Sequence, residues 1–265
     1  MDIDSTLTPP ETTRFVAAAR GVLDAVEAQA DVISEVARAC ARAIAADGLV
    51  HLFGTGHSRI PVEEMFPRYG SYPGFNPIAE LSMTFHTQVV GANGQRQAMF
   101  IERVPGLAAA ILANFEFLPT DVMMIFSASG RSAVPIEMAV GARERGLTVV
   151  AVTSIAESMA AEPTHEAGRL LDNADIVLDL GTPPGDALVS IVGLDTPVGP
   201  GSTIAAAALV NEIKVQTAEL LVEQGAMPPV LTSAALVGQE TSARLFDAAY
   251  AEHARRYARS LRGAA

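Results

Sequence analysis

One cysteine, Cys40, in 265 residues excludes an intrachain disulfide and fits a reducing compartment. It falls in an alanine-rich helical stretch, where a packing role is expected. Tryptophan is absent and aromatics make up only 5%, while alanine is abundant, a composition of helix-rich packing. Positive charge is scarce: 18 Lys and Arg against 30 Asp and Glu leave a net charge of -12. Coulomb repulsion therefore opposes nucleic acid or an anionic membrane as a partner. No segment approaches the ~18 consecutive apolar residues of a membrane span. The opening MDIDSTLTPPETT is acidic and lacks the apolar region of a signal peptide, so a soluble cytoplasmic protein is expected. Two nucleotide signatures are missing as well. GTGHS at 54–58 is followed by Arg59-Ile60-Pro61 where a dinucleotide loop needs glycine, and there is no G-x-x-x-x-G-K-[ST]. The histidines follow no H-x-x-x-H spacing and no C-x-x-C accompanies them, so neither a metal nor another cofactor is expected.

With 49% hydrophobic residues, the chain can bury a large core. Phe15, Val22, Val26, Ile33, Val36, Cys40 and Ile44 recur at helical spacing, predicting one helix over 11–46 that stops at Asp47-Gly48. Short apolar runs at 49–53, 121–126, 147–153 and 174–180 look like buried parallel strands, with a further short strand within 71–80. Helices are predicted at about 59–69, 105–117, 133–145, 202–224 and 240–261, and 81–103 reads as irregular or partly helical. Strands alternating with helices at this spacing imply a doubly wound, mostly parallel α/β sheet. No linker divides the chain, so a single domain is expected: a core of about 40–225, the N-terminal helix 11–46 and a helical extension at 226–265. The Gly/Pro-rich connection 181–203 is long enough to expect a function of it. The last helix, with Arg255, Arg256 and Arg259, reads as a solvated cap or a subunit contact.

Two junctions share one grammar. LVHLFGTGHSRIPVEEM runs from Leu49 to Met65, and DVMMIFSASGRSAVPIEM from Asp121 to Met138. Each is an apolar strand, a loop of Gly, Ser and Thr, and a helix with proline in its first turn. Ser58 and Ser132 stand at N-cap positions. Two helix N-termini side by side offer unpaired N–H groups and positive dipole ends to an anion. Gly54, Thr55, Gly56, His57 and Ser58 from the first loop, with Ser127, Ser129, Gly130 and Ser132 from the second, are candidate ligand-binding residues. Their hydroxyls and backbone amides suit a phosphate. Ser202 and Thr203 head a later helix, as candidates to reach the same ligand or simply as caps, and Asp186 in the PPGDA loop is a candidate for a ligand hydroxyl or a turn, the turn being favoured.

The second loop resembles the S-x-S-G-x-S/T phosphate loop of the sugar isomerase (SIS) domain family. EEMFPRYGSYPGFNPI at 63–78 is similar to the Glu-Glu-Leu-Thr-Gly-Arg-Tyr stretch of bacterial phosphoheptose isomerases. The chain as a whole is most similar to an uncharacterised group of SIS proteins sharing EEMF, SGR-x-AVPIEMA, a GDA loop and VGP-x-ST. The resemblance implies a three-layer α/β/α sandwich with a flavodoxin-like sheet. It implies phosphate bound at Ser58, Ser127, Ser129 and Ser132, and a homodimer or homotetramer with shared sites. It puts Glu64 on the family's general base. Aligning Ile213-Lys214-Val215 with the family's Ile-Lys-Val puts Glu212 where those isomerases have a catalytic histidine, a departure that argues against phosphoheptose isomerisation itself. The expected activity is aldose–ketose isomerisation of a phosphorylated sugar by a glutamate base. A non-catalytic phosphosugar sensor, and a lyase or deaminase on an amino- or ether-sugar phosphate, stay open. His86 and His165 are candidates to enter a neighbouring subunit's site.

Overall fold

The computed structural model describes residues 13–83 and 94–261. Two helices, α1 (Arg14–Glu27) and α2 (Ala30–Ala45), precede β1 (Val50–Gly54), α3 (Arg59–Met65) and β2 (Phe75–Ile78). Then come α4 (Gly94–Ile101), α5 (Leu107–Leu112), β3 (Val122–Phe126), α6 (Ala133–Glu144), β4 (Thr148–Thr153), α7 (Ile155–Met159) and β5 (Ile176–Asp179). A hairpin of β6 (Ala187–Val189) and β7 (Val198–Pro200) leads into α8 (Ser202–Glu223), α9 (Ala234–Val237) and α10 (Gln239–Ser260).

The main sheet has the order β2-β1-β3-β4-β5 with every pair parallel. Its strands read as unbroken apolar runs because both faces are covered. Val50, Leu52, Met124, Phe126, Val150 and Val152 pack with the buried faces of α1, α2 and α8. Their neighbours Phe53, Met123, Ile125, Val149 and Ala151 point the other way, onto α5 and α6. Each fully buried Leu, Ile, Met or Phe contributes about 1.5–3 kcal/mol to this packing. Pro77 lacks a ladder N–H, and β2 accordingly lies at the sheet's edge.

Four differences from the sequence expectation have local causes. The predicted helix 11–46 is two helices, broken at Gln29, whose amide donates to Asp179 O (2.8 Å) while its Oε1 accepts from Asp179 N (2.7 Å). That side chain pairs with the edge strand β5 as a further strand would. The helix expected at 105–117 stops at Leu112, where the Asn114 amide folds back onto Ala110 O and Ile111 O. The connection 181–203 holds the β6–β7 hairpin. Finally, α10 is more than a solvated cap. Arg256 is buried, and its Nη1 donates to Ile44 O (2.9 Å) and Gly48 O (2.8 Å) at the α2–β1 turn.

Candidate active site

In a sheet of this order, the chain leaves β1 toward one side and returns to β3 on the other, so the two following loops part and leave a crevice at the strands' C-terminal ends. Both serine-containing loops lie there. In the first, Gly56 takes a left-handed conformation (φ 54°) and a 3₁₀ turn, Gly56–Ser58, runs directly into α3. Ser58 is therefore already helical (φ -66°, ψ -5°) and makes no capping bond, contrary to its expected role. Gly54 is required by contact: a Cβ there would lie 2.2 Å from Ser58 O.

The second loop turns at Gly130 (φ 60°), whose N–H donates to Ser127 Oγ (3.2 Å). Ser127 keeps its own hydroxyl proton for another acceptor. Ser132 has the extended backbone of an N-cap, yet its side chain does not cap α6. Its Oγ donates instead to Glu102 Oε1 (2.9 Å), and Val134 N, in the first turn of α6, donates to Glu102 O (2.9 Å). Thr55 Oγ1 donates to Glu102 Oε2 (2.5 Å). One glutamate beyond the end of α4 thus bridges both loops. Nothing in the 81–103 segment singled it out, because its place depends on a helix–loop contact far from any local pattern.

A third wall comes from the hairpin. Asp186, left-handed at φ 57°, accepts from Gly201 N (3.1 Å), Ser202 N (2.7 Å) and Ser202 Oγ (2.5 Å). The expected turn residue is thus the acidic cap of α8, and Gly201 occupies the N-cap position foreseen for Ser202. Glu157 pairs with Arg131 (3.0 Å) and accepts from Gly185 N, tying the serine loop to the hairpin's approach.

These walls enclose two adjoining cavities. One, of about 260 Å³, is lined by His57, Ser58, Ser127, Ser202 and Thr203 over an apolar floor that includes Phe126, Val152 and Leu180. The other, of about 460 Å³, is lined by Thr55, Gly56, Ser129, Ser132, Glu102 and Glu157, and shares His57, Ser58, Ser127 and Asp186 with the first. Most residues picked from the two loops are therefore brought together. Glu64 and Glu212 line neither cavity. Glu64 accepts from Arg68 (2.6 Å) and from Asn211 of α8 (3.3 Å). Glu212 is exposed and accepts from Gln216 (2.9 Å). His165 lies behind the serine loop of its own chain, 3.4 Å from Glu137. His86 falls outside the described residues. Among the described residues, no group of three His, Cys, Asp or Glu side chains is placed to hold a metal ion, and no helix is long and apolar enough to cross a membrane.

The SIS domain model matches residues 14–154, more than half of the chain and the stretch that carries both serine-containing loops. The chain belongs to the SIS domain family. Among curated relatives of this SIS protein, a UPF0309 protein of Listeria monocytogenes serotype 4b (strain F2365) is 35% identical over 206 residues, covering 77% of this chain and 81% of the relative. A UPF0309 protein of Geobacillus kaustophilus is 32% identical over 223 residues, covering 84% and 86%. Among solved structures, a phosphoheptose isomerase from Francisella tularensis superposes with a TM-score of 0.51 at 15% identity, over 80% of this chain and all of that one. At that identity the likeness is one of fold, and it supports the parallel α/β architecture derived above.

Proposed function

We propose that this SIS protein binds a phosphorylated sugar in the cleft between its two serine-containing loops and interconverts its aldose and ketose forms. The observation that carries the reading is the convergence of Ser58, Ser127 and Ser129 on one pair of adjoining cavities. A phosphate needs several donors at once and little else. The loop supplies hydroxyls, and the backbone N–H groups of Ser129, Arg131 and Ser132 have no acceptor among the described residues. Arg131 is not a competing explanation for anion binding, since Glu157 already neutralises it. The apolar floor suits a sugar's C–H surface, and carboxylates line the adjoining cavity, as proton transfer from a carbon acid requires.

The test is a thermal-shift screen of wild type and Ser129→Ala against aldose, ketose and amino-sugar phosphates beside the corresponding free sugars. A sugar phosphate present at ~100 times its Kd stabilises the folded state by about 2.7 kcal/mol. Its melting temperature should rise by several degrees, stay unmoved by the free sugar, and lose the rise in Ser129→Ala. The bound sugar phosphate is then assayed for isomerisation. A chain that no sugar phosphate stabilises refutes the reading. Binding without turnover selects the sensor, and elimination or ammonia release selects the lyase or deaminase.

A further inference from the structure

Three carboxylates face the larger cavity, and two of them are already committed. Glu157 is paired with Arg131 and accepts from Gly185 N. Asp186 is spent on the N-terminus of α8. Glu102 differs. Its partners are two neutral hydroxyls, Thr55 Oγ1 and Ser132 Oγ, one on each oxygen, and no cation is paired with it among the described residues. A carboxylate offers about four lone-pair directions, so two hydroxyl donors leave others open to the cavity. Orientation without charge neutralisation is what a proton acceptor needs: a cation partner would hold down its basicity, and no partner at all would leave it free to rotate. Its main chain is fixed too, because Glu102 O accepts the Val134 N–H at the start of α6.

We infer that Glu102 is the proton-transfer carboxylate of this site, and that Thr55 and Ser132 position it. The inference rests on the isomerase reading above and gives that reading its base. It also divides the serines. Ser129 serves the phosphate, whereas Ser132, which the resemblance assigns to the phosphate, serves Glu102. In the forward direction the C2–H bond of the aldose breaks. Its proton passes to Glu102, and its electrons form the C1–C2 double bond as the carbonyl oxygen on C1 becomes an enediolate oxygen. The proton of the C2 hydroxyl moves to the oxygen on C1. Glu102 then returns its proton to C1 as the carbonyl forms at C2. Nothing is oxidised or reduced overall, and no co-reactant is consumed. Glu64 is less suited to this role within the single chain, because it lines neither cavity and is paired with the Arg68 cation.

The experiment measures three things for each protein: melting-temperature shift with the sugar phosphates of the screen, deuterium uptake from D₂O into the carbon-bound position by proton NMR, and kcat and KM for isomerisation. Wild type, Glu102→Gln, Glu102→Asp, Ser132→Ala, Ser129→Ala and Glu64→Gln are compared. The expected result is that Glu102→Gln keeps the ligand shift and loses exchange by roughly 10²–10⁴-fold, the usual contribution of general base catalysis. Ser132→Ala should lower kcat with KM changed about twofold or less, and Ser129→Ala should instead raise KM. Glu102→Asp, which keeps the carboxylate but draws it back, should retain part of the exchange, and it carries the test should the glutamine variant fail to fold. Exchange undiminished in folded Glu102→Gln, or abolished in Glu64→Gln alone, overturns the inference while leaving the isomerase reading standing. Loss of the ligand shift in folded Glu102→Gln overturns it as well. No exchange in wild type with any sugar phosphate removes the isomerase reading itself, and this inference with it.

Discussion

Cys40 shows what burial does to one side chain. It sits on the inner face of α2, fully enclosed, and desolvation pushes its thiol up to about 12 from the usual 9.0. A raised value means the unfolded chain releases the proton first. The associated stability is complete below about pH 9 and falls as pH rises toward 12, by at most about 1.4 kcal/mol per pH unit. Burial displaces Tyr72 in the same direction, while Lys214 is displaced downward by its own desolvation and opposes both. Cys40→Ala isolates the cysteine's share. In urea unfolding under reductant at pH 8, 9 and 10, wild type should lose roughly 1 kcal/mol more than the variant across the series. Parallel curves would refute it. In native protein at pH 8, the thiol should stay silent to a disulfide reagent until denaturant is added. Cys40 was legible from its helical spacing alone. Glu102 was not, because a glutamate ending a short helix looks the same whether it meets solvent or two hydroxyls from distant loops.

Among elements, α10 depends most on contacts that sequence periodicity does not reveal. Three arginines on it converge on the α2–β1 turn: Arg255 and Arg259 reach Asp47, and Arg256 reaches the backbone carbonyls of Ile44 and Gly48. The Arg255 guanidinium, ahead of Arg259 and Arg256, holds the Asp47 carboxyl well below the usual carboxylate range. Asp47 itself is too exposed for that pairing to contribute much in solvent. Arg256 is buried, so Arg256→Met strands two carbonyls and should lower the unfolding free energy by about 2–4 kcal/mol. Because Gly48 precedes β1 and the cleft follows it, ligand affinity should not change. Urea unfolding and a ligand titration of the same variant check the two halves of that statement. The break at Gln29 teaches the same lesson from the other end of the chain. Helical spacing continues through it, and only the β5 edge, 150 residues away in sequence, supplies the partner that ends α1.

At the scale of the whole molecule, α8 is apolar on more than one side. Leu209, Val210, Ile213 and Leu221 are buried against the sheet and α2, while Val215 and Val222 are exposed by 55% and 63%. The hairpin connection adds Val192, fully exposed, and Leu194. Apolar side chains exposed on a helix whose other side is already buried call for cover there as well. We expect a homodimer or homotetramer, with a mass by light scattering that is a multiple of 27.7 kDa, and we expect Val215→Lys to shift it toward the monomer. A monomeric wild type across micromolar concentrations would refute this. The sequence by itself determined the alternation of strands and helices, the doubly wound parallel sheet and the two loops of serine and glycine, because each is written in local periodicity and local backbone chemistry. Tertiary structure alone decided which donors in those loops remain free. Strand order sets the loops side by side, the hairpin brings Asp186 onto α8, and the end of α4 lays Glu102 across Thr55 and Ser132. Each of those contacts joins residues far apart in the chain, and a hydroxyl's partner is fixed by the space around it rather than by its neighbours in sequence.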